Sequence, residues 1–157
     1  MNDAKVLQRI ADLGLELPPA PQPVAAYVSV RMAGKTAYVA GQVPIVDGVV
    51  VNPGFLGRDV SVDEGRAGAK RAALQALSAL RSALGSFERL LGILQVTVYV
   101  ASTPDFAEHP QVANGASELL LNVLGETGRH ARAAVGVASL PLGGSVEVVV
   151  TAEITSG

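Results

Sequence analysis

Apolar residues return at helical spacing between Ser61 and Leu84, where Ala67, Leu74, Leu77 and Leu84 form one stripe and Arg66, Lys70 and Arg81 face water. Ser61-Val62-Asp63-Glu64 is a capping-box pattern at the start of this helix, and Gly85 is a C-cap at its end. A second stripe, Val112, Ala116, Leu119, Leu120 and Val123, predicts a helix from about Pro110 to Leu124, closed by Gly125 and Gly128. Val6, Ile10 and Leu13 predict a short amphipathic helix over 3–13, ended at Gly14.

Strand patterns fill the rest. Residues 27–32 and 36–40 flank Gly34-Lys35 as a hairpin, and Pro44 ends the pairing after Gly41-Gln42-Val43. Val49 to Val51 is a short extra strand, and 52–60 is a Pro/Gly-rich loop. Ile93 to Ala101 reads as a buried strand whose polar members are Gln95 and Thr97. Two last runs, 133–138 and 146–154, flank a turn segment containing Pro141, Gly143, Gly144 and Ser145. This order predicts an α+β fold: one mixed sheet of about six strands, two long helices on a single face, and a short N-terminal helix. The sheet's other face is then bare unless a second copy covers it, a physical reason to expect an oligomer.

Length and linker chemistry predict one domain over 1–157. Pro18, Pro19, Pro21 and Pro23 forbid helix, so 1–23 is a helix plus an extended linker laid against a core at 24–155. With 49% hydrophobic residues, no Trp and 17% charged residues, burial rests on Ala, Val, Leu and Gly. Net charge is −2 and no Lys/Arg cluster occurs, so a nucleic-acid partner is not expected. No apolar run reaches membrane-spanning length and no signal core opens the chain, which leaves a cytoplasmic location as the expectation. The absence of cysteine removes disulfides, thiolate metal sites and cysteine nucleophiles.

Candidate chemistry lies in the last quarter. Arg132 opens one late strand and Glu147 lies near the start of the next, both costly to bury without partners or a task. The spacing alone fits an ion pair tying two strands together. It also fits a guanidinium fork that anchors a carboxylate beside a carboxylate that manages protons. His109 and His130 flank helix ends with no H-x-x-x-H or H-E-x-x-H spacing, so no metal site is expected and both read as surface residues. Ser139 and Ser145 lack a G-x-S-x-G elbow, and Gly65, Gly68 and Lys70 fall inside a helix rather than in a phosphate loop.

Four local patterns, in order, carry a resemblance. They are Ala25-Ala26-Tyr27-Val28, Ala40-Gly41-Gln42-Val43-Pro44, Asn114 with Glu118, and the block from Arg132 through Leu140-Pro141 to Glu147. Together they resemble the RidA (YjgF-like) family of reactive-intermediate deaminases, in its longer, endoribonuclease L-PSP-like subgroup. The resemblance covers about 24–154. It implies a chorismate-mutase-like subunit, a homotrimer with clefts between subunits, no cofactor, and a small carboxylate-bearing enamine or imine hydrolysed to a 2-oxo acid and ammonia. It implies Arg132 as carboxylate anchor and Glu147 as acid/base, in a pocket completed by another copy. Tyr27, Ala40, Gly41, Asn114 and Ala134 would line that cleft, and Glu118 is read as structural. Ala40 stands where the family pattern often has Ser, and Ala133 and Ala134 replace residues that are often Ser or Thr and Cys. A trimeric binding or regulatory protein of the same fold, without turnover, is the alternative. Endoribonuclease activity is also linked to the family, but the acidic charge balance argues against it.

Overall fold

The computed structural model describes residues 1–22 and 26–156. Pro23 of the linker and Ala25 of the first family-like pattern lie outside the described residues, as does the expected linker–core boundary. Helix α1 spans Asp3–Asp12, α2 Val62–Leu84 and α3 His109–Leu124. The strands are β1 (Val30–Ala33), β2 (Thr36–Gln42), β3 (Ile45–Val46), β4 (Val49–Val50), β5 (Leu90–Ala101), β6 (Ala131–Val137) and β7 (Val146–Ile154). The main sheet has five strands in the order β1-β2-β7-β5-β6, and β3 with β4 makes a separate small hairpin. The expected extra strand near 49–51 thus exists, but it pairs outside the main sheet. Only β5 and β6 pair in parallel, joined through α3 as a crossover unit.

Period-two burial explains which face meets the helices. In β7, Val146, Val148, Val150, Ala152 and Ile154 are buried, while Glu147, Val149, Thr151 and Glu153 alternate outward. β5 follows the same alternation, so it is buried on one face rather than throughout, and Gln95 and Leu94 are exposed. The outer face carries apolar side chains without cover: Tyr38 is 50% exposed and Val135 42%. β6, which holds the apolar run 133–138, is an edge strand, and Arg132 is exposed there.

Small residues on α2 decide how tightly the layers close. Gly65, Gly68, Ala69, Ala72, Ala73 and Ala76 are buried along with Leu74, Leu77 and Leu84. Ala67, expected on the inner stripe, is exposed in the groove between α2 and α3, beside Lys70 and Glu118. α3 approaches α2 so closely that a Cβ at Gly115 would stand 2.0 Å from the Arg66 carbonyl oxygen. The capping box forms: the Glu64 N–H donates to Ser61 Oγ at 3.2 Å, and the Ser61 N–H donates to Glu64 Oε2 at 2.8 Å. Arg66 pairs with Glu118 across the two helices, the structural role expected for Glu118.

The N-terminal segment docks on the core through α1, whose Val6 and Ile10 are buried. Arg81 does not simply face water: it grips Asp3 with two hydrogen bonds of 3.0 and 2.9 Å, and the Phe87 N–H donates to the same carboxylate. The Arg81 guanidinium, with help from Phe87 and against the effect of burial, holds the Asp3 carboxyl below its ordinary value. The linker as far as Gln22 is tied to α2 and to the start of the hairpin. Ser78 Oγ donates to the Pro18 carbonyl at 2.5 Å, and Ser29 Oγ donates to the Pro21 carbonyl at 2.7 Å.

Candidate functional site

Glu147 lies on the outer-facing register of β7, opposite Tyr99 of β5. Its carboxylate lies against the backbone of β2. A Cβ added at Gly41 would meet Glu147 Oε1 at 1.9 Å, so glycine at 41 makes room for the acid. The β2–β7 register shifts between Val39 and Gln42, which takes Ala40 and Gly41 out of regular pairing at a bulge. Glu147 is half-buried and accepts no hydrogen bond from the described residues. Burial alone pushes its carboxyl above the ordinary value, because a desolvated carboxylate without donors is disfavoured.

A depression of about 480 Å³ opens beside it, lined by Tyr27, Ala40, Gly41 and Glu147 together with Pro21, Gln22 and Leu142. Two buried carboxamides brace its floor. Gln75 Nε2 donates to the Val43 carbonyl at 3.0 Å and Gln75 Oε1 accepts from the Ile45 N–H at 2.8 Å, while Gln42 Nε2 donates to the Ala40 carbonyl at 2.9 Å. Sequence reading passed over Gln75. Its signal was there, a single amide inside the run Ala72–Leu80 of a buried helix face, where an unpaired polar group is costly.

Arg132 belongs elsewhere. Its register partner is Val96, a residue of the helix-facing side, and β5 lies between β6 and β7. Arg132 Nη1 donates to Asn114 Oδ1 at 2.8 Å and to Ser117 Oγ at 3.3 Å, both on α3. His130 Nδ1 lies 2.7 Å from the Gly128 carbonyl, which can only accept, so that nitrogen carries the proton. His130 Nε2 shares a 2.9 Å hydrogen bond with the Ser117 hydroxyl, whose oxygen also accepts from the arginine. Ser117 and His130 are thus part of the arginine's support, and the pattern of single residues along the chain did not indicate this. His130 and His109, expected at the surface, are both half-buried and hydrogen-bonded, His109 to Ser102 at 3.2 Å. Ala134 sits two positions along β6 from Arg132, on the same register face, packed against the core.

Within one chain, therefore, Arg132 and Glu147 are not brought together. They face opposite sides of the sheet, and the arginine borders a different hollow of about 260 Å³ with Ser117, Leu121 and His130. The strand-tying ion pair that spacing alone allowed does not form. Tyr27, Ala40 and Gly41 gather around Glu147, whereas Asn114 gathers with Arg132.

The family model described as "YjgF/chorismate mutase-like, putative endoribonuclease" matches residues 7–154. The chain belongs to this YjgF-like family. A curated relative, protein TCP17 of Trypanosoma cruzi, is 43% identical over 153 residues, covering 97% of this chain and 96% of that one. The crystal structure of Atu1372 from Agrobacterium tumefaciens, a protein of unknown function, superposes with a TM-score of 0.92 at 40% identity, over 98% of this chain and 94% of that chain. A structure from Shewanella oneidensis described as a putative endoribonuclease gives a TM-score of 0.91 at 32% identity, over 95% and 99%. The match begins at residue 7, within α1, and includes the proline linker, whereas the resemblance read along the sequence covers about 24–154. Among the described residues, no helix is long and apolar enough to cross a membrane.

Proposed function

We propose that the protein is a hydrolytic deaminase of small enamine or imine intermediates bearing a carboxylate, and that it works as a cytoplasmic homotrimer without a cofactor. The observation that carries this reading is the desolvated, unpartnered Glu147 carboxyl, seated against Gly41 at the edge of an open depression. Arg132 of one copy completes the site by meeting Glu147 of the next, since one chain alone holds only the two halves. The guanidinium, pinned through Nη1 by Asn114 and Ser117, keeps its remaining donors for the substrate carboxylate.

The chemistry is a balanced hydrolysis. Water adds to the imine carbon as Glu147 takes one of its protons and returns it to the nitrogen, giving the carbinolamine; Glu147 then relays the hydroxyl proton to the nitrogen as the C–N bond breaks. Ammonia leaves and the 2-oxo acid remains. A carboxyl that burial holds above its ordinary value is a stronger base than a solvated one, which suits a group that must both accept and return a proton. Tyr27, Ala40 and Gly41 wall the Glu147 side, and Ala134 lies beneath the arginine side.

The test is ammonia release from freshly generated 2-aminoacrylate. Glu147→Gln should lower kcat/KM by about 10²–10⁴-fold, and Arg132→Ala should raise KM by about 10–150-fold, the worth of charge-assisted hydrogen bonds. Wild-type protein no faster than spontaneous hydrolysis would remove the enzyme reading. Ala40, a methyl where the family often has a hydroxyl, favours a second reading, a trimeric binding or regulatory protein that keeps the anchor without turnover. Endoribonuclease, the word attached to the family and to the Shewanella relative, is not our reading. A chain of net charge −2 without a Lys/Arg cluster lacks the footprint that RNA phosphates require.

A further inference from the structure

Part of the lining of the Glu147 depression comes from outside the sheet and the long helices. Pro141 and Leu142 of the turn before β7 line it together with Tyr27 and with Pro21 and Gln22 of the proline linker. This segment is held at fixed points. Ser78 Oγ on α2 grips the Pro18 carbonyl and Ser29 Oγ grips the Pro21 carbonyl, while α1 behind it is anchored by buried Val6 and Ile10 and by the Asp3–Arg81 pair. Proline removes backbone freedom in the strap before any ligand arrives, so little ordering cost falls on binding.

The chemistry of the wall indicates what it faces. Pro21, Val43, Ile45, Pro141 and Leu142 present apolar surface; of the polar side chains in the lining, Ser29, Gln42 and Gln75 are bonded to backbone groups, which leaves Gln22, Tyr27 and Glu147. Among the described residues, Gln22 Nε2 makes a single 3.4 Å contact, with the Ala20 carbonyl two residues away. In one copy the depression measures about 480 Å³, space that the substrate would share with the next copy's Arg132, and its lining beside the strap is apolar.

We propose that the strap Pro18–Gln22 is a specificity element. It walls the Glu147 depression so that the site favours imino acids, and their 2-oxo acid products, whose side chain is apolar and larger than methyl. The proposal rests on the Glu147 depression being the substrate site. Ser78 is a positioning residue for the strap, since it lies outside the depression and acts through the Pro18 carbonyl.

Calorimetry with two 2-oxo acids, pyruvate and 4-methyl-2-oxopentanoate, tests it without requiring turnover. Wild-type protein should bind the branched acid about tenfold or more tightly than pyruvate, since each methylene in an apolar pocket is worth about tenfold or more. The double variant Pro21→Gly, Gln22→Ala should bring that ratio to within about threefold of unity. Ser78→Ala, with the strap sequence intact, should move the ratio in the same direction and serves where the double variant fails to fold. Equal wild-type affinities, or a ratio unchanged in folded variants, would overturn the proposal. Ammonia release measured in parallel separates the two ideas. Turnover with an unmoved ratio sinks the strap alone, and a shifted ratio without turnover sinks the deaminase while the strap stands.

Discussion

Glu147 owes its chemistry to a neighbour that has no side chain. With hydrogen at Gly41 the carboxyl can press on the backbone, and desolvation there raises its pKa. Gly41→Ala should leave the fold intact, because the atom it displaces is the far end of a flexible side chain. Its kcat/KM for imine hydrolysis should fall by about a hundredfold, as for a misplacement of about 1 Å. Circular dichroism and ammonia release on the same sample check both halves of that statement. The raised pKa also fixes a sign. Folding favours the protonated acid, so the acid's contribution to stability is complete below the ordinary carboxyl range and is lost as pH rises through the elevated folded-state value. With the arginine removed by Arg132→Ala, adding Glu147→Gln should therefore raise Tm near pH 8 and leave it unchanged near pH 4. A gain at the acid end instead would contradict the desolvation account.

At the scale of elements, the close approach of α2 and α3 rests on Gly115, where a Cβ would stand 2.0 Å from the Arg66 carbonyl oxygen. Alanine would contribute about 1 kcal/mol through helix propensity. A backbone carbonyl cannot step aside as a side chain does, and overpacking costs about 1–3 kcal/mol or more, so the clash wins. Gly115→Ala should lower the midpoint of denaturant unfolding, and it should disturb Arg132 through Asn114 and Ser117 on either side of residue 115. The long elements were legible along the chain. Ser61 and Glu64 marked the start of α2 and Gly85 its end, because caps are local chemistry. The faces were less so. Ala67 has the same helical phase as Leu74, yet one is exposed and the other buried, since phase says nothing about where the neighbouring helix stops covering.

For the whole molecule, the proposed trimer would account for both the uncovered sheet face and the separation of Arg132 from Glu147. Tyr38 and Val135 remain open on the outer face, and Glu147 faces that same side while Arg132 looks the other way from an edge strand. Light scattering at micromolar concentration should give three times 16.0 kDa. A monomer under those conditions would leave the two halves of the site unjoined.

The sequence by itself determined the segments, their order, the mixed α+β class and the resemblance that singled out Arg132, Glu147, Tyr27, Ala40, Gly41 and Asn114. Each of these is written in local spacing, through caps, periodicity and turn residues. Only the tertiary structure decided that β6 is an edge strand, that Arg132 and Glu147 lie on opposite faces, and that Gln75 braces the depression beside Glu147 while Ser117 and His130 stand beside Arg132. The reason is physical. Strand order and register are set by long-range pairing, and a shift of one position sends a side chain to the other face.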